Sequence, residues 1–190
     1  MKMNILKRSI ESAPIINKGK YQYVIHQLTD GIPAIKPDLL KEVTDEMYKI
    51  IKNYKNIDKI VTIEAMGIPL ATLLSIKMNI PFTIIRKRKY GLKNEYVVEQ
   101  ETGYSKSKLY LNGFKKGENI VLVDDVLSTG GTLKSILNAF LKIGVNIKCV
   151  VILFDKGDSI EEIKNINEID IYSLVKISVV DGKTIIKNIK

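Results

Sequence analysis

The sequence predicts an α/β fold in which a twisted parallel sheet carries helices on both of its faces. Three features support this class: short β-branched runs, helix-period segments that follow them, and glycine-containing turns between the two. The repeated strand–helix–strand order favours parallel strands, because each helix returns the chain across the sheet. With 190 residues, 45% hydrophobic residues and one cysteine, the chain suits a domain with a sizeable core and excludes a disulfide scaffold.

The predicted core elements follow one another from residue 37 onward. An amphipathic helix is predicted from Pro37 to Tyr54, since apolar residues recur at helical spacing and proline suits the first turn. Gly144 would end a later helix as a left-handed cap. The strands are predicted over 59–63, 81–85, 119–123 and 147–154, and the helices between them over 67–78 and 132–143.

Three further segments lie outside this core. Residues 21–28 alternate as an exposed strand does, and residues 169–186 are predicted to form two strands joined at Asp181-Gly182. Residues 89–108 are polar, have weak periodicity and separate two strong strands, which is typical of a mobile lid. We therefore expect a single domain over residues 1–190 with a mobile loop at about 89–108.

The charge and the N-terminal sequence restrict the partners. Thirty Lys and Arg against 21 Asp and Glu give a net charge of +9, which attracts phosphate groups. The lysines are spread along the chain and only Arg86–Lys89 forms a tight block, so we predict no nucleic-acid partner. Residues 1–4 lack the apolar stretch of a secretion signal, and no apolar run reaches the ~20 residues that span a bilayer. We expect a cytoplasmic protein with no membrane partner.

The segment Val121–Thr132 predicts a site for a sugar phosphate. An apolar strand ends in two adjacent carboxylates, Asp124 and Asp125, and a turn and a helix follow. Capping residues alone would explain the turn but not the two acids, which suit a vicinal diol or a metal ion beside a phosphate. The turn residues offer hydroxyl and backbone donors at a helix N-terminus, as a phosphate site requires; they are Ser128, Thr129, Gly130, Gly131 and Thr132.

This segment closely resembles the signature of the type I phosphoribosyltransferases, which bind 5-phosphoribosyl 1-pyrophosphate. Residues 62–68 resemble the pyrophosphate loop of the purine members, and residues 85–88 resemble their next strand and its basic exit. Residues 21–33 and 102–113 are most similar to the archaeal hypoxanthine/guanine subfamily. The resemblance implies a parallel sheet with a small hood from the terminal segments, magnesium as cofactor, and a homodimer.

The resemblance also implies roles for individual residues. Asp124 and Asp125 would hold the ribose hydroxyls and stabilise positive charge that develops at the sugar C1, and the turn after them would hold the 5′-phosphate. It assigns no particular residue as a direct ligand of the metal, and it implies a pyrophosphate loop that in the family often contains a non-proline cis peptide. The residues that would bind pyrophosphate are Glu64, Ala65, Met66, Gly67, Arg86, Lys87 and Arg88. The residues of the hood over the site would be Tyr104, Ser105 and Lys106.

The choice of base depends on the end of the strand over 147–154, where we predict Phe154 and Lys156 as base-binding residues. A lysine donates hydrogen bonds and accepts none, so Lys156 favours a purine with a 6-oxo group over one with a 6-amino group. A solvated loop lysine is the alternative. Ser128 stands where the better-known 6-oxopurine enzymes carry an aspartate, and Gly103 where adenine enzymes commonly have a glutamate. The acceptor of the purine proton is left open, and His26 is expected to be structural.

The function predicted is purine salvage, in which a phosphoribosyl group passes from phosphoribosyl pyrophosphate to hypoxanthine or guanine, giving IMP or GMP and pyrophosphate. An adenine or xanthine phosphoribosyltransferase is the nearer alternative. A regulator that senses phosphoribosyl pyrophosphate and binds DNA is the alternative of another class. Residues 1–20 are too short for a helix-turn-helix domain, which weighs against the regulator.

Overall fold

The structure is a computed structural model that describes residues 3–19, 21–102 and 105–189. Its helices are α1 (Asn4–Glu11), α2 (Gln27–Asp30), α3 (Pro37–Ile51), α4 (Gly67–Met78), α5 (Gly131–Ile143) and α6 (Ser159–Asn167). Its strands are β1 (Ile15–Lys18), β2 (Tyr21–Val24), β3 (Lys59–Ile63), β4 (Phe82–Ile85), β5 (Tyr96–Thr102), β6 (Ser105–Leu111), β7 (Asn119–Leu127), β8 (Asn146–Asp155), β9 (Ile171–Val180) and β10 (Lys183–Ile189).

A six-stranded sheet forms the centre of the fold, in the order β10-β9-β8-β7-β3-β4. The five strands from β9 to β4 are parallel, and β10 joins the edge antiparallel to β9. Asp181 and Gly182 connect the last two strands with positive φ angles of 49° and 68°, as a two-residue hairpin turn requires. The predicted α/β class and the predicted C-terminal hairpin are confirmed.

Helices cover both faces of this sheet, because successive residues of a strand point to opposite sides. In β7, Val121 and Val123 belong to an apolar layer that also contains buried residues of α1, α3 and α4. Ile120 and Leu122 belong to the layer on the other face, which contains buried residues of α5. Gly144 ends α5 with a φ of 80°, as the sequence predicts.

Two segments differ from the sequence-based expectation. Residues 89–108, predicted as a loop, contain β5 and the first part of β6, which pair as an antiparallel hairpin. Most of its residues are polar, and the buried apolar side chains that the structure describes here are Val98 in β5 and Leu109 and Leu111 in β6, so its alternation is weak in the sequence. Residues 21–28, predicted as one strand, form β2 only as far as Val24, and the chain then turns into α2.

Other elements were not predicted, namely α1, β1 and α6. Strands β1 and β2 form a separate two-stranded antiparallel sheet, whereas β9 and β10 extend the central sheet. Among the described residues, no helix has both the length and the apolar character needed to cross a membrane.

Candidate active site

The loops that follow β3, β7 and β8 meet at one edge of the central sheet, because these strands are parallel neighbours. Open α/β sheets bind their ligands at this carboxyl edge. Residues 64–66 connect β3 to α4, residues 128–130 connect β7 to α5, and residues 156–158 connect β8 to α6. The acids and the turn of residues 124–132, the loop of residues 64–67 and Lys156 therefore lie on or beside adjacent loops.

Asp124 and Asp125 occupy the last part of β7 and are half-buried. Their surroundings differ. The Asp124 side chain packs against Gly67, where a Cβ atom would lie 2.8 Å from Asp124 Oδ1, and the charge of Lys87 acts on it. The charge of Lys156 acts on Asp125 instead. One acid therefore faces the loop after β3, and the other faces the loop after β8.

Both acids hold their protons more tightly than an ordinary aspartate. Burial raises the pKa of Asp124 well above 3.8, and the neighbouring charge of Asp125 raises it further. Burial also raises the pKa of Asp125, whereas its hydrogen bond with the Asp124 side chain lowers it. Two adjacent acids with these properties favour a ligand that brings hydroxyl donors or a cation.

The turn after β7 has the shape expected of an anion site. Gly130 has a φ of 76° and precedes α5, which begins at Gly131, and Ser128 and Thr129 are exposed beside this helix N-terminus. Gly130 itself is buried, and a Cβ atom there would lie 2.9 Å from Ser159 Oγ. Both the backbone conformation and the close packing therefore require glycine at this position.

The loop after β3 is held by the basic segment after β4. One oxygen of Glu64, Oε2, accepts hydrogen bonds from Arg86 Nε at 2.9 Å and from the backbone N–H of Lys87 at 3.0 Å. The Lys87 N–H and the Arg86 side chain lower the pKa of Glu64. The peptide bond between Glu64 and Ala65 is cis. Ala65 is exposed, and Gly67 packs so closely on Thr62 that a Cβ atom would overlap Thr62 Oγ1.

The three basic residues of this segment are not equivalent. Arg86 is half-buried and paired with Glu64. Lys87 is exposed, and its charge acts on both Glu64 and Asp124. The Arg88 guanidinium carbon lies 5.9 Å from the centre of the Tyr90 ring. Lys87 is therefore the cation of this block whose charge reaches the predicted diol site.

The loop after β8 is fixed by hydrogen bonds at both of its first residues. The N–H of Lys156 donates to the carbonyl oxygen of Leu127 at 2.8 Å, and the N–H of Gly157 donates to Asp155 Oδ1 at 3.0 Å. The ammonium group of Lys156 has no hydrogen bond or ion pair with any described residue. Partial burial lowers the pKa of Lys156, and the carboxylates of Asp30 and Asp125 oppose this shift.

Phe154 is 1% exposed and lies in the apolar core. The edge of the His26 ring packs against it, with ring centres 5.0 Å apart. The structure therefore places this predicted base-binding residue behind the loop rather than on an open surface, and its ring supports the loop in this conformation.

The lone histidine is fully engaged by the protein. His26 Nδ1 accepts the N–H of Leu28 at 3.2 Å, so the proton lies on Nε2, which donates to Ser9 Oγ at 2.9 Å. Burial lowers the pKa of His26 to about 4, so the ring is neutral at pH 7. It is a structural residue, as expected.

Some residues of the site fall outside what the structure describes or outside what the sequence predicted. Tyr104 lies outside the described residues, and of Ser105 and Lys106 only the backbone is placed, as the first residues of β6. Two further residues were not predicted: Asp30, whose charge acts on Asp125 and Lys156, and Gly157, which packs against Ser128. Each resembles an ordinary turn residue in the sequence, so nothing local distinguished them.

The chain belongs to the phosphoribosyl transferase domain family, whose model matches residues 34–181. Its relatives include a hypoxanthine/guanine phosphoribosyltransferase of Methanothermococcus okinawensis, 50% identical over 97% of this chain and 100% of the relative. A second protein of that name, from Methanocaldococcus infernus, is 50% identical over 96% of this chain and 99% of the relative. The predicted family and its archaeal subfamily are confirmed.

Solved structures confirm the fold. The adenine phosphoribosyltransferase of Thermoanaerobacter pseudethanolicus superposes with a TM-score of 0.74 at 22% identity, over 92% of this chain and 99% of that one. The enzyme of Giardia lamblia, solved with 9-deazaadenine, gives a TM-score of 0.74 at 19% identity, over 93% and 98% of the two chains.

Proposed function

We propose that the protein transfers a 5-phosphoribosyl group from phosphoribosyl pyrophosphate to N9 of hypoxanthine or guanine, forming IMP or GMP and pyrophosphate. The observation that carries this proposal is the convergence of three loops at one edge of the sheet. The acids of β7 lie between residues 64–67, proposed for the pyrophosphate, and the turn over residues 128–132, proposed for the 5′-phosphate. Two relatives at 50% identity over nearly the whole chain bear the corresponding name. The reaction serves purine salvage.

The donor would bind across these loops. Ser128, Thr129 and the N-terminus of α5 suit the 5′-phosphate, because hydroxyls and helix N–H groups donate to an anion there; Gly130, Gly131 and Thr132 complete this turn. The pyrophosphate would lie over residues 64–67, with Arg86, Lys87 and Arg88 as the neighbouring cations. Ala65 and Met66 would contribute backbone donors in this loop.

Asp124 and Asp125 would accept hydrogen bonds from the two ribose hydroxyls. Departure of pyrophosphate leaves positive charge on C1 of the sugar, and two carboxylates held nearby stabilise that charge without having to reorganise. Hydroxyl donors also stabilise the ionised form of acids whose pKa burial has raised. The ribose diol would thus supply hydroxyl donors that stabilise the charged form of both acids.

The same pair of acids fits a magnesium ion. Carboxylate oxygens are hard ligands, and magnesium in phosphate-transfer sites typically takes one or two carboxylates and fills its other positions with water and substrate oxygens. The described residues contain no cluster of three or more metal-ligating side chains. Asp124 and Asp125 would therefore hold the ion together with the substrate, and the ion would neutralise charge on the leaving pyrophosphate.

Lys156 would donate a hydrogen bond to O6 of the purine. Its ammonium group is unpaired among the described residues, and its charge acts on Asp125 at the ribose side of the site. An amino group at C6, as in adenine, cannot accept this bond and would leave the ammonium unpaired. The side chain thus selects for 6-oxopurines.

Three further parts of the proposal derive from the family. The β5–β6 hairpin would close over the substrates, with Tyr104, Ser105 and Lys106 near its tip. We also propose a homodimer located in the cytoplasm. Phosphoribosyl pyrophosphate and the purine base are the small-molecule partners.

A stoichiometry experiment tests the proposal. The protein is mixed with hypoxanthine, phosphoribosyl pyrophosphate and magnesium, and IMP and pyrophosphate are measured together. The two products are expected to appear in equal amounts, and Asp125→Asn is expected to reduce turnover about tenfold or more while its circular dichroism is unchanged. Saturable binding of the donor without any nucleotide formation would contradict the proposal and favour a sensing role.

A further inference from the structure

Asp30 lies at the base side of the site although it comes from the N-terminal part of the chain. Helix α2, which ends at Asp30, packs against β7. The next residue, Gly31, lies over the loop after β3, since a Cβ atom there would be 3.8 Å from the terminal methyl carbon of Met66. At the other end of α2, the His26 ring packs against Phe154, two residues before Lys156. These three contacts place Asp30 above the carboxyl edge of the sheet.

Electrostatic interactions agree with this placement. Burial raises the pKa of Asp125 and lowers that of Lys156, and the Asp30 carboxylate adds to the first shift and opposes the second. The Asp30 carboxylate also raises the pKa of His26, which opposes the lowering caused by burial. Its charge therefore reaches the acid at the ribose side and the lysine assigned to O6 of the base.

The two oxygens of Asp30 differ in their bonding. Oδ2 accepts the backbone N–H of His26 at 2.9 Å and the hydroxyl of Thr29 at 2.6 Å, which fix the side chain on the turn. Oδ1 has no hydrogen bond with any residue that the structure describes. Asp30 is exposed, so this oxygen remains available as an acceptor.

A fixed acceptor near a free ammonium group matches one edge of a 6-oxopurine. Hypoxanthine and guanine present an acceptor at O6 and a donor at N1–H next to it, whereas adenine presents a donor at the 6-amino group and an acceptor at N1. Lysine can only donate, and an ionised carboxylate can only accept. The pair thus complements hypoxanthine and guanine at both positions and adenine at neither.

Resting on the proposed function, we propose that Asp30 is a second specificity-determining residue, whose Oδ1 accepts the N1–H of hypoxanthine or guanine while Lys156 donates to O6. Two opposite requirements on adjacent atoms discriminate more strongly than one. The 6-amino group and N1 of adenine would leave both the lysine and the aspartate without a partner, and such unpaired groups account for large discrimination between similar substrates.

The test is Asp30→Asn, which changes one group and preserves the turn. The asparagine carbonyl oxygen can still accept the bonds from His26 and Thr29, so the amide NH₂ takes the place of Oδ1 and presents a donor instead of an acceptor. The ratio of kcat/KM for hypoxanthine to that for adenine is expected to fall about tenfold or more. The kcat/KM for guanine is expected to fall as much as that for hypoxanthine, because both bases donate N1–H to the same oxygen, Asp30 Oδ1. The KM for phosphoribosyl pyrophosphate should stay within about twofold of the wild-type value.

The matched control is Thr29→Val, which removes the hydroxyl bond to Oδ2 but keeps the carboxylate. It should leave the hypoxanthine-to-adenine ratio unchanged. The inference is overturned if Asp30→Asn lowers activity on all purines equally, or if Thr29→Val alters the ratio by as much as Asp30→Asn. A wild-type protein that converts no purine would refute the proposed function itself, whereas a wild type that prefers 6-oxopurines together with an unchanged ratio in Asp30→Asn would refute only the role of Asp30.

Discussion

Gly157 lies directly against the carbonyl oxygen of Ser128, so that a Cβ atom on Gly157 would overlap this oxygen. The contact joins the loop assigned to the purine with the turn assigned to the 5′-phosphate. The N–H of Lys156 strengthens it by donating to Leu127, the residue before Ser128. Because the two loops pack backbone against backbone, we expect a displacement of one to displace the other, together with the substrate group assigned to it.

Gly157→Ala should therefore impair the use of both substrates. The added methyl group meets main-chain atoms, which cannot rotate away, and the overlap should also destabilise the fold by roughly 1–3 kcal/mol. We expect kcat/KM to fall about tenfold or more for donor and base alike, because positioning errors of about an ångström are costly. Steady-state kinetics and thermal unfolding measure the two effects.

The control for this variant is Gly182→Asn, in the β9–β10 turn. A Cβ atom there meets nothing within 4 Å, and asparagine tolerates the φ of 68° better than other residues do. Its kinetics should match the wild type. Wild-type values of kcat/KM for both substrates in Gly157→Ala would show that the two loops are not coupled.

Gly67→Ala should displace the acid that faces the pyrophosphate loop. The new Cβ atom would overlap Thr62 Oγ1 and lie 2.8 Å from Asp124 Oδ1, so turnover should fall. Thr62 Oγ1 is buried and has no hydrogen-bond partner in the described part of the chain, so removing it forfeits no bond. Thr62→Ala should thus restore part of the activity of Gly67→Ala. A double-mutant cycle measures this rescue, and strictly additive losses would contradict the steric explanation.

Asp124→Asn should alter the pH dependence of stability. Burial and the charge of Asp125 raise the pKa of Asp124 well above 3.8, so over the range above 3.8 the folded protein keeps a proton that the unfolded chain has released. The free energy of unfolding contributed by this group then falls as the pH rises toward the raised pKa. The variant lacks this pH-dependent decrease, so its free energy of unfolding relative to that of the wild type should increase with pH.

Urea unfolding of the metal-free proteins, from about pH 4 to about pH 8, measures this difference. A stability difference that is constant over the whole range would show that Asp124 has an ordinary pKa. Activity should fall in the variant at every pH, since the neutral amide keeps only one acceptor oxygen and lacks the negative charge that would stabilise positive charge on C1 of the sugar.

Lys156→Leu should reduce activity with hypoxanthine more than with adenine. Leucine removes the donor to O6, whereas adenine has no acceptor at that position to lose. The comparison of kcat/KM for the two bases measures the effect. Equal losses on both bases would mean that Lys156 is a solvated loop residue without a role in base selection.

Much of the fold was predictable because its signals are local. The parallel strands are continuous β-branched runs, and α5 shows its apolar spacing and its glycine cap directly. The β5–β6 hairpin was not predictable, since most of its residues are polar and give no clear alternation of apolar side chains. For the site, the acids and the turn after β7 form one contiguous motif. Asp30 and Gly157 acquire their positions from contacts with distant residues, which no pattern in their own segments encodes.

The most direct test of the account is a purine panel. Hypoxanthine, guanine, xanthine and adenine are each supplied with phosphoribosyl pyrophosphate and magnesium, and kcat/KM is obtained from nucleotide formation. We expect conversion of hypoxanthine and guanine with a kcat/KM about tenfold or more above that for adenine. Turnover of adenine equal to or faster than that of the 6-oxopurines would contradict it.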